Sequence, residues 1–380
     1  MAKGAYIGVN GVARKVKKGY IGVGGVARKI KKAYIGVGGV ARPCWSGGEL
    51  AYYGTITDFG TNRYCLAATT VGDYALFGGG KTTGTNSTRV SNVDVYNSSL
   101  VKSNTTIRST VFDLAATTVG DYALFGGGKD NGNSSAAVTG FNSSLTKNTS
   151  VKDLNYSLDC LAATTVGNYA LFGGGRQGST PKNTMTRYTT SLSQGTPTTL
   201  SVARYNLTAT TVGNYALFGG GSGSNMYATV DAYDSSLTRT SATLLNYPRD
   251  SLTATTVGDY ALFGGGDNGD DDGTITSVDV YNTSLTHSIA SAPLTIGRRG
   301  LAATTVNGFA IFAGGYNFIE GDDYRTEVDV YDASLTKTIH QLQVGRYKLA
   351  ATTVGNYALF GGGMGTGSLT VKSVEAFTVA

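Results

Sequence analysis

The sequence predicts an all-β protein, a seven-bladed β-propeller preceded by short β-hairpin repeats. The segment LAATTVGDYALFGGG at residues 66–80 returns almost unchanged, with later copies that begin at Leu114, Leu161, Leu207, Leu252, Leu301 and Leu349. The copies start 45 to 49 residues apart, and each unit holds four short segments of β-forming composition. Because one four-stranded sheet cannot bury both of its faces, such units stack around an axis. A separate 14-residue repeat fills the N-terminus.

Each unit reads as four strands in order. The first, LAATTV, is rich in β-branched residues and ends at a Gly-Asp or Gly-Asn turn. The second, YALF, runs into a glycine triplet, which allows a close approach of backbones. The third has the pattern VDVY, and the fourth is looser and rich in threonine. In five units an arginine stands three residues before the next leucine: Arg63, Arg204, Arg249, Arg298 and Arg346.

The repeat resembles the kelch repeat in its second strand ending in Gly-Gly, in its period and in the aromatic residue of its third strand. The resemblance covers roughly residues 50–380. It departs from the kelch pattern because Trp45 is the single tryptophan and lies outside the repeats. The third-strand aromatic residues are Tyr96, Phe141, Tyr188, Tyr233, Tyr281, Tyr331 and Phe377.

The ends of the repeat region indicate how the ring closes. The last unit stops after its third strand, at residues 374–379, whereas an unattached strand-like segment at 49–59 precedes the first unit. We expect this segment to complete the last blade and leave no exposed edge. The predicted domains are residues 1–45, the hairpin repeats, and residues 46–380, the propeller.

The N-terminal repeats read AYIGVNGVARKVKK, GYIGVGGVARKIKK and AYIGVGGVARPCW. Each has a two-residue turn signal between β-favouring runs, at residues 10–11, 24–25 and 38–39. Such hairpins are marginal alone, which favours anchoring or homo-oligomerisation. The repeats resemble those at the start of phage and prophage proteins, which implies attachment to other virion proteins and a virion location after synthesis in the host cytoplasm.

The basic charge of the chain belongs to this tail. Residues 1–42 contain ten Lys and Arg and no acid, whereas the remainder has 21 basic against 25 acidic residues. Nucleic-acid binding by the tail is the alternative, but lysines on exposed edge strands are also an ordinary protection against aggregation. The clusters are Arg14, Lys15, Lys17 and Lys18, with Arg28, Lys29, Lys31 and Lys32. No run has the length of a membrane span and no secretory signal is visible, so we expect no membrane association.

The repeats differ most directly after the glycine triplet, in the loops between second and third strands. A constant scaffold that presents variable polar loops at one end is typical of binding proteins, although surface loops also drift without selection. The predicted binding residues on these loops are Asn131, Arg176, Asn183, Asn225, Tyr227, Asp270, Tyr316, Asn317, Asp322 and Tyr324.

Catalytic and metal chemistry find little support in the sequence. The two histidines, His287 and His340, fall in outer-strand regions, where we expect them to be exposed. We therefore predict no enzyme and no cofactor. Calcium is the one metal alternative, because residues 268–279 resemble an EF-hand-type loop. Its ligands would be Asn268, Asp270, Asp272, Thr274 and Asp279.

These features favour a phage virion protein, a fibre or surface decoration, whose propeller binds a host-surface or mucosal glycan or receptor. The kelch resemblance implies an alternative, an intracellular scaffold for protein–protein interaction. An enzyme with a site in the central channel is disfavoured, because near-identical blades offer little of the asymmetry that catalysis needs.

Overall fold

A computed structural model describes residues 48–83, 88–270, 273–318 and 323–379, together with the backbone of N-terminal strands between Tyr6 and Ser46. Seven four-stranded antiparallel sheets surround a central axis, which confirms the predicted seven-bladed propeller. Within this part of the chain, no helix is long and apolar enough to cross a membrane.

The strands of a blade run outward from the axis in chain order. The first strands are Ala67–Val71, Ala115–Val119, Ala162–Val166, Thr208–Val212, Thr253–Val257, Ala302–Val306 and Ala350–Val354. The second strands are Tyr74–Gly78, Tyr122–Gly126, Tyr169–Gly173, Tyr215–Gly219, Tyr260–Gly264, Phe309–Ala313 and Tyr357–Gly361. The third strands are Asn92–Asn97, Val138–Asn142, Met185–Thr189, Val230–Tyr233, Val278–Asn282, Glu327–Asp332 and Val374–Val379. The outer strands of blades 1 to 6 are Lys102–Thr106, Lys147–Asn148, Gln194–Gly195, Arg239–Ser241, His287–Ile289 and Lys337–Gln341.

The seventh blade takes its outer strand from the other end of the repeat region. Leu50–Ile56 pairs antiparallel with Val374–Val379, with a register shift between Ala376 and Phe377. The last blade therefore joins the two ends of the ring, and its third strand has hydrogen-bonding partners on both sides.

Shorter hairpins extend this plan. Loops between second and third strands contain the pairs Lys129–Asp130 with Asn133–Ser134, Arg176–Gln177 with Thr180–Pro181, Tyr316–Asn317 with Asp323–Tyr324, and Met364–Gly365 with Leu369–Thr370, the last spanning a 3-10 turn at Thr366–Ser368. The N-terminal repeats form Tyr6–Val9 with Val12–Lys15, Gly19–Val23 with Val26–Ile30, and Lys32–Val37 with Val40–Ser46.

Apolar side chains fill the space between neighbouring blades. The second-strand Phe125 packs with Val93 and Leu76 of the preceding blade, and the equivalent clusters recur around the ring. Closer to the axis, threonine hydroxyls of the first strands donate to backbone carbonyls of the equivalent threonine one blade earlier. Blade-to-blade adhesion therefore combines apolar burial with buried polar links that are satisfied. The donors are Thr70, Thr118, Thr165, Thr211, Thr256 and Thr305.

The five arginines before the leucines are fully buried and pair with the acid of the third strand in their own blade. Arg63 lies 2.8 Å from Asp94, Arg204 2.9 Å from Asp231, and Arg298 2.8 Å from Asp329. Arg249 pairs with Asp279, and Arg346 with Glu375. Blades 2 and 3 have neither the arginine nor the acid. Blade 2 has Val111 and Thr139 at these two positions, and blade 3 has Leu158 and Thr186.

The expectation that the histidines are exposed is wrong. His287 is half-buried on its outer strand, and its Nε2 lies 2.7 Å from Asp279. The same outer-strand position carries Lys102 in blade 1 and Lys337 in blade 6, each beside the acid of its blade. His340 is also half-buried, packs near the Phe377 ring, and has a pKa that burial lowers.

Candidate binding face

The residue that precedes each first-strand leucine builds a ring around the central axis. Its backbone N–H donates to the carbonyl of the equivalent residue in the preceding blade, at 2.8 to 3.0 Å, and Cys65 receives Lys348 as its partner, so the circle closes. All these residues have positive φ, between 53° and 60°, a conformation that is strained in any residue but glycine. The ring consists of Cys65, Asp113, Cys160, Asn206, Ser251, Gly300 and Lys348.

A second circle of residue pairs surrounds this ring. The residue two places before each leucine forms an antiparallel bridge with the residue directly after the glycine triplet, as in Tyr64 with Lys81 and Phe112 with Lys129. The bridges place the start of each variable loop beside the ring. We call this end of the propeller, with the ring, the bridges and the loops between second and third strands, the mouth face. The other bridges are Asp159–Arg176, Tyr205–Ser222, Asp250–Asp267, Arg299–Tyr316 and Tyr347–Met364.

The opposite end of the propeller is nearly the same in every blade. It carries the Gly-Asp or Gly-Asn turns after the first strands and the turns after the third strands. In the turns after the third strands, one side-chain oxygen accepts hydrogen bonds from two backbone N–H groups, as that of Asn97 does from Ser99 and Val101. Asn142, Asn282 and Asp332 repeat the arrangement. Variation between blades is thus concentrated on the mouth face.

A cavity of about 370 Å³ opens at the centre of the mouth face. Its wall consists of the ring residues and of the leucine and alanine residues that follow them. The volume lies at the lower end of roughly 300–1,000 Å³, the range of small-molecule sites. Burial raises the pKa of the Cys65 and Cys160 thiols well above the ordinary value. Protonated thiols are weak nucleophiles, so the ring is better suited to binding than to covalent chemistry.

Lysines and aromatic rings alternate beside this cavity. The Nζ of Lys81 lies 4.1 Å from the Phe112 ring centroid and 5.0 Å from that of Tyr64. The Nζ of Lys348 lies 5.3 Å from the Tyr347 ring. Burial by itself would lower the pKa of Lys348, but the negative charge of nearby acids, Asp113 among them, outweighs burial and the pKa is raised. Lys348 is therefore a cation at neutral pH.

An aromatic cluster occupies the mouth face at blades 6 and 7. The Tyr316 ring lies 5.0 Å from Phe318, 5.3 Å from Tyr324 and 5.8 Å from Tyr347, measured between centroids. The guanidinium of Arg299 lies 4.0 Å from the Phe318 ring and also pairs with Asp267 at 2.7 Å. Aromatic faces of this kind contact apolar faces of ligands while their edges remain wet.

The structure brings two of the predicted binding residues together and distributes the other described ones around the mouth face. Tyr316 and Tyr324 share the aromatic cluster. Arg176 pairs with Asp159 at 2.8 Å and lies over the Tyr205 ring. Asn131 accepts a hydrogen bond from Arg89, whereas Asn183 donates to the Leu200 carbonyl.

Three others belong to exposed or half-buried turns. The backbone carbonyl of Asn225 accepts a hydrogen bond from the N–H of Gly223. The Tyr227 hydroxyl lies 3.1 Å from the Ser224 hydroxyl. Asp270 accepts from the Asn268 amide at 2.6 Å. The expectation that Asn317 offers its side chain to a ligand is wrong: it is 2% exposed, and its amide donates to the Gly297 carbonyl and Thr274 hydroxyl. Asp322 lies outside the described residues.

The residues of the predicted calcium loop have other partners. Asp279 is fully buried between Arg249 and His287, which removes the twelfth-position ligand of the pattern. Asn268 donates to Asp270, and Thr274 accepts from Asn317. Asp272 lies outside the described residues. Among the residues that are described, no three acidic, cysteine or histidine side chains are grouped to hold a metal ion.

The sequence reasoning missed the ring residues and the lysines of the mouth face. A signal for the ring was present, because the position before each leucine holds six different residue types in an otherwise uniform repeat. The lysines directly after the glycine triplet, Lys81 and Lys129, stood at the head of loops already recognised as variable.

The fold is that of a seven-bladed propeller with a cavity at the centre of its mouth face. No protein-family model and no curated protein matches the chain. Among solved structures, that of YjhT is similar, with a TM-score of 0.55 and 14% sequence identity. The likeness covers 72% of this chain and 96% of that chain, and at such identity it shows the fold alone.

Proposed function

We propose that the protein is a non-catalytic, virion-associated binding protein of a phage, whose mouth face holds a host-surface or mucosal glycan. The proposal rests on one observation: the sequence differences between blades are concentrated at one end of the propeller, the mouth face. Ring, bridges and variable loops meet there, while the opposite end is constant. The N-terminal hairpins would attach the propeller to other virion proteins or to further copies of the chain.

The chemistry of the mouth face suits a saccharide. Half-buried aromatic residues of the bridges, such as Tyr64, Phe112 and Tyr347, surround a cavity whose wall carries polar groups such as Asn206 and Ser251. The apolar C–H faces of sugars stack on aromatic rings, and their hydroxyl groups form hydrogen bonds with polar side chains. The mouth face offers both kinds of group.

Binding of the full chain to immobilised glycans and to bacterial cells tests the proposal. We expect specific retention that soluble competing saccharide abolishes. Retention on neither surface, together with specific capture of one cytoplasmic protein, would replace the proposal with the intracellular scaffold.

A further inference from the structure

We infer that the mouth face at blades 7, 1 and 2 is a site for an anionic saccharide, one that bears carboxylate or sulfate groups, bound by Lys348, Lys81 and Lys129. The inference rests on the proposed function and narrows it to a ligand class and a sector of the face.

The three lysines are neighbours through a continuous path of backbone contacts. The Lys348 carbonyl accepts from the N–H of Cys65, the residue after Tyr64. Tyr64 is bridged to Lys81, whose ammonium group reaches across to the Phe112 ring of the next blade. Phe112 is in turn bridged to Lys129. Lys348 therefore lines the cavity itself, and Lys81 and Lys129 follow in the circle of bridges just outside it.

These cations lack the partners that other basic groups of the mouth face have. Arg176 pairs with Asp159, Arg299 with Asp267, and Arg325 with Asp323 and Glu327. Lys81, Lys129 and Lys348 are half-buried, yet none makes an ion pair with an acid in the described part of the chain. Asp113 acts on Lys348 only from beyond ion-pair distance. A partly desolvated cation that no acid contacts directly gains more from an anionic ligand than an already paired one does.

The aromatic rings hold two of the lysines in position. Lys81 lies over Phe112 and Tyr64, and Lys348 lies near Tyr347, so two ammonium groups have cation–π contacts that limit their freedom. Two acids of this sector oppose an anion there: Asp113 of the ring and Asp130, which follows Lys129 and lies 3.9 Å from Arg89.

A saccharide fits these observations better than a nucleic acid. Residues 43–380 carry 21 basic against 25 acidic residues, and the mouth face also bears Asp250 and Asp267 opposite the lysines. A polyphosphate chain requires a continuous basic track, and this charge distribution would repel it. Three local cations around a small cavity suit one charged sugar unit or a chain end.

The test uses the full chain and three immobilised polysaccharides: polygalacturonate, dextran sulfate and neutral dextran. The variant K81Q/K129Q/K348Q is compared with K147Q/K152Q/R187Q, which removes the same charge outside the ring, the bridges and the loops of the mouth face. Both retain the basic tail, so nonspecific attraction through residues 1–42 is the same in the two, and the charge of the propeller falls by the same amount. Folding of each variant is checked by its thermal transition.

We expect tight binding to one or both anionic polymers, and a loss of roughly tenfold or more in the mouth variant alone. D113N should bind the same polymer more tightly, which keeps the test open if the triple variant does not fold. Equal losses in the two triple variants would overturn the inference, and so would equally tight binding of an oligothymidylate that the mouth variant alone loses. Binding of neutral dextran alone would overturn it while leaving the proposed function, and binding of no saccharide would remove both.

Discussion

At the scale of single residues, the comparison between blades shows how charges are buried. Five blades carry a fully buried arginine with an acid, whereas blades 2 and 3 carry an apolar residue with threonine at the same two places. In every blade the third-strand polar group also accepts a backbone N–H from the preceding connection, as Asp231 does from Ser201 and Thr186 from Asn155. The hydrogen bond from the connection to the third strand is therefore present in all seven blades. The arginine–acid pair is replaced as a whole by an apolar residue and a threonine in two of them.

This exchange predicts the outcome of breaking one pair. Arg204→Leu leaves Asp231 buried without its main partner and should destabilise the fold by about 3–5 kcal/mol in urea unfolding. R204L/D231T reproduces the pair Leu158 and Thr186 of blade 3 and should recover most of that loss. A double variant no more stable than the single one would show that the pair is not exchangeable.

A second residue-scale prediction concerns acid. Burial by itself would raise the pKa of Asp329, but Arg298, Thr295 and Lys337 outweigh it and the pKa is lowered. A carboxyl with a lowered folded-state pKa adds stability above its unfolded pKa of about 4 and loses it as pH falls through the folded value. The stability deficit of Asp329→Asn should therefore shrink as the pH falls from about 6 to about 3.

Urea unfolding across that pH range measures the deficit, with Asp121→Asn at an exposed turn as the control. A deficit for Asp329→Asn that stays constant across the range would contradict the assignment.

At the scale of elements, the glycine triplet sets how closely blades approach. The second glycine has positive φ, and at Gly174 (φ +68°) an added Cβ would meet the Arg204 carbonyl at 2.8 Å and the Leu207 side chain at 2.9 Å. Gly178 has a similar φ of +61° but open space around it. The triplet therefore serves packing between blades as well as turning of the chain.

The two glycines form a matched pair. Gly178→Ala should cost only the backbone strain, about 1–2 kcal/mol, whereas Gly174→Ala should cost clearly more because a backbone carbonyl must also move. Thermal unfolding of both variants checks the order. Equal losses would mean that contact between blades adds nothing at this position.

Much of the element plan could be predicted from the sequence, and the reason is repetition. Seven copies of LAATTV and YALFGGG located the inner strands, and the unpaired strand at 49–59 lies where Leu50–Ile56 pairs with the last blade. The burial of Asn317 and His287 was not predictable, because it depends on contacts with neighbouring segments that a single repeat does not contain.

At the scale of the whole molecule, closure creates the candidate site. The ring of backbone hydrogen bonds exists only when blade 7 meets blade 1, through Cys65 and Lys348. The sequence signals these positions by their variation, but their convergence on the axis follows from the closed ring and is visible only in the structure. The lysine sector at blades 7, 1 and 2 spans that same junction.

Removal of the closing strand should therefore affect more than one blade. A chain that begins at residue 57 lacks Leu50–Ile56 and leaves the Val374–Val379 strand with an unpaired edge. We expect a lower thermal transition and concentration-dependent association, because exposed strand edges pair with other chains. Light scattering compares it with a chain that begins at residue 47. Equal mass and stability would show that the strand is dispensable.

Hydroxyl-radical footprinting of the full chain, with and without saturating polygalacturonate, tests the location of the ligand site most directly. We predict protection of Tyr64, Phe112 and Tyr347 on the mouth face. Tyr122 and Tyr215, which begin second strands at the constant end, should react equally in both states. Protection of the constant-end tyrosines with no change on the mouth face would contradict the account.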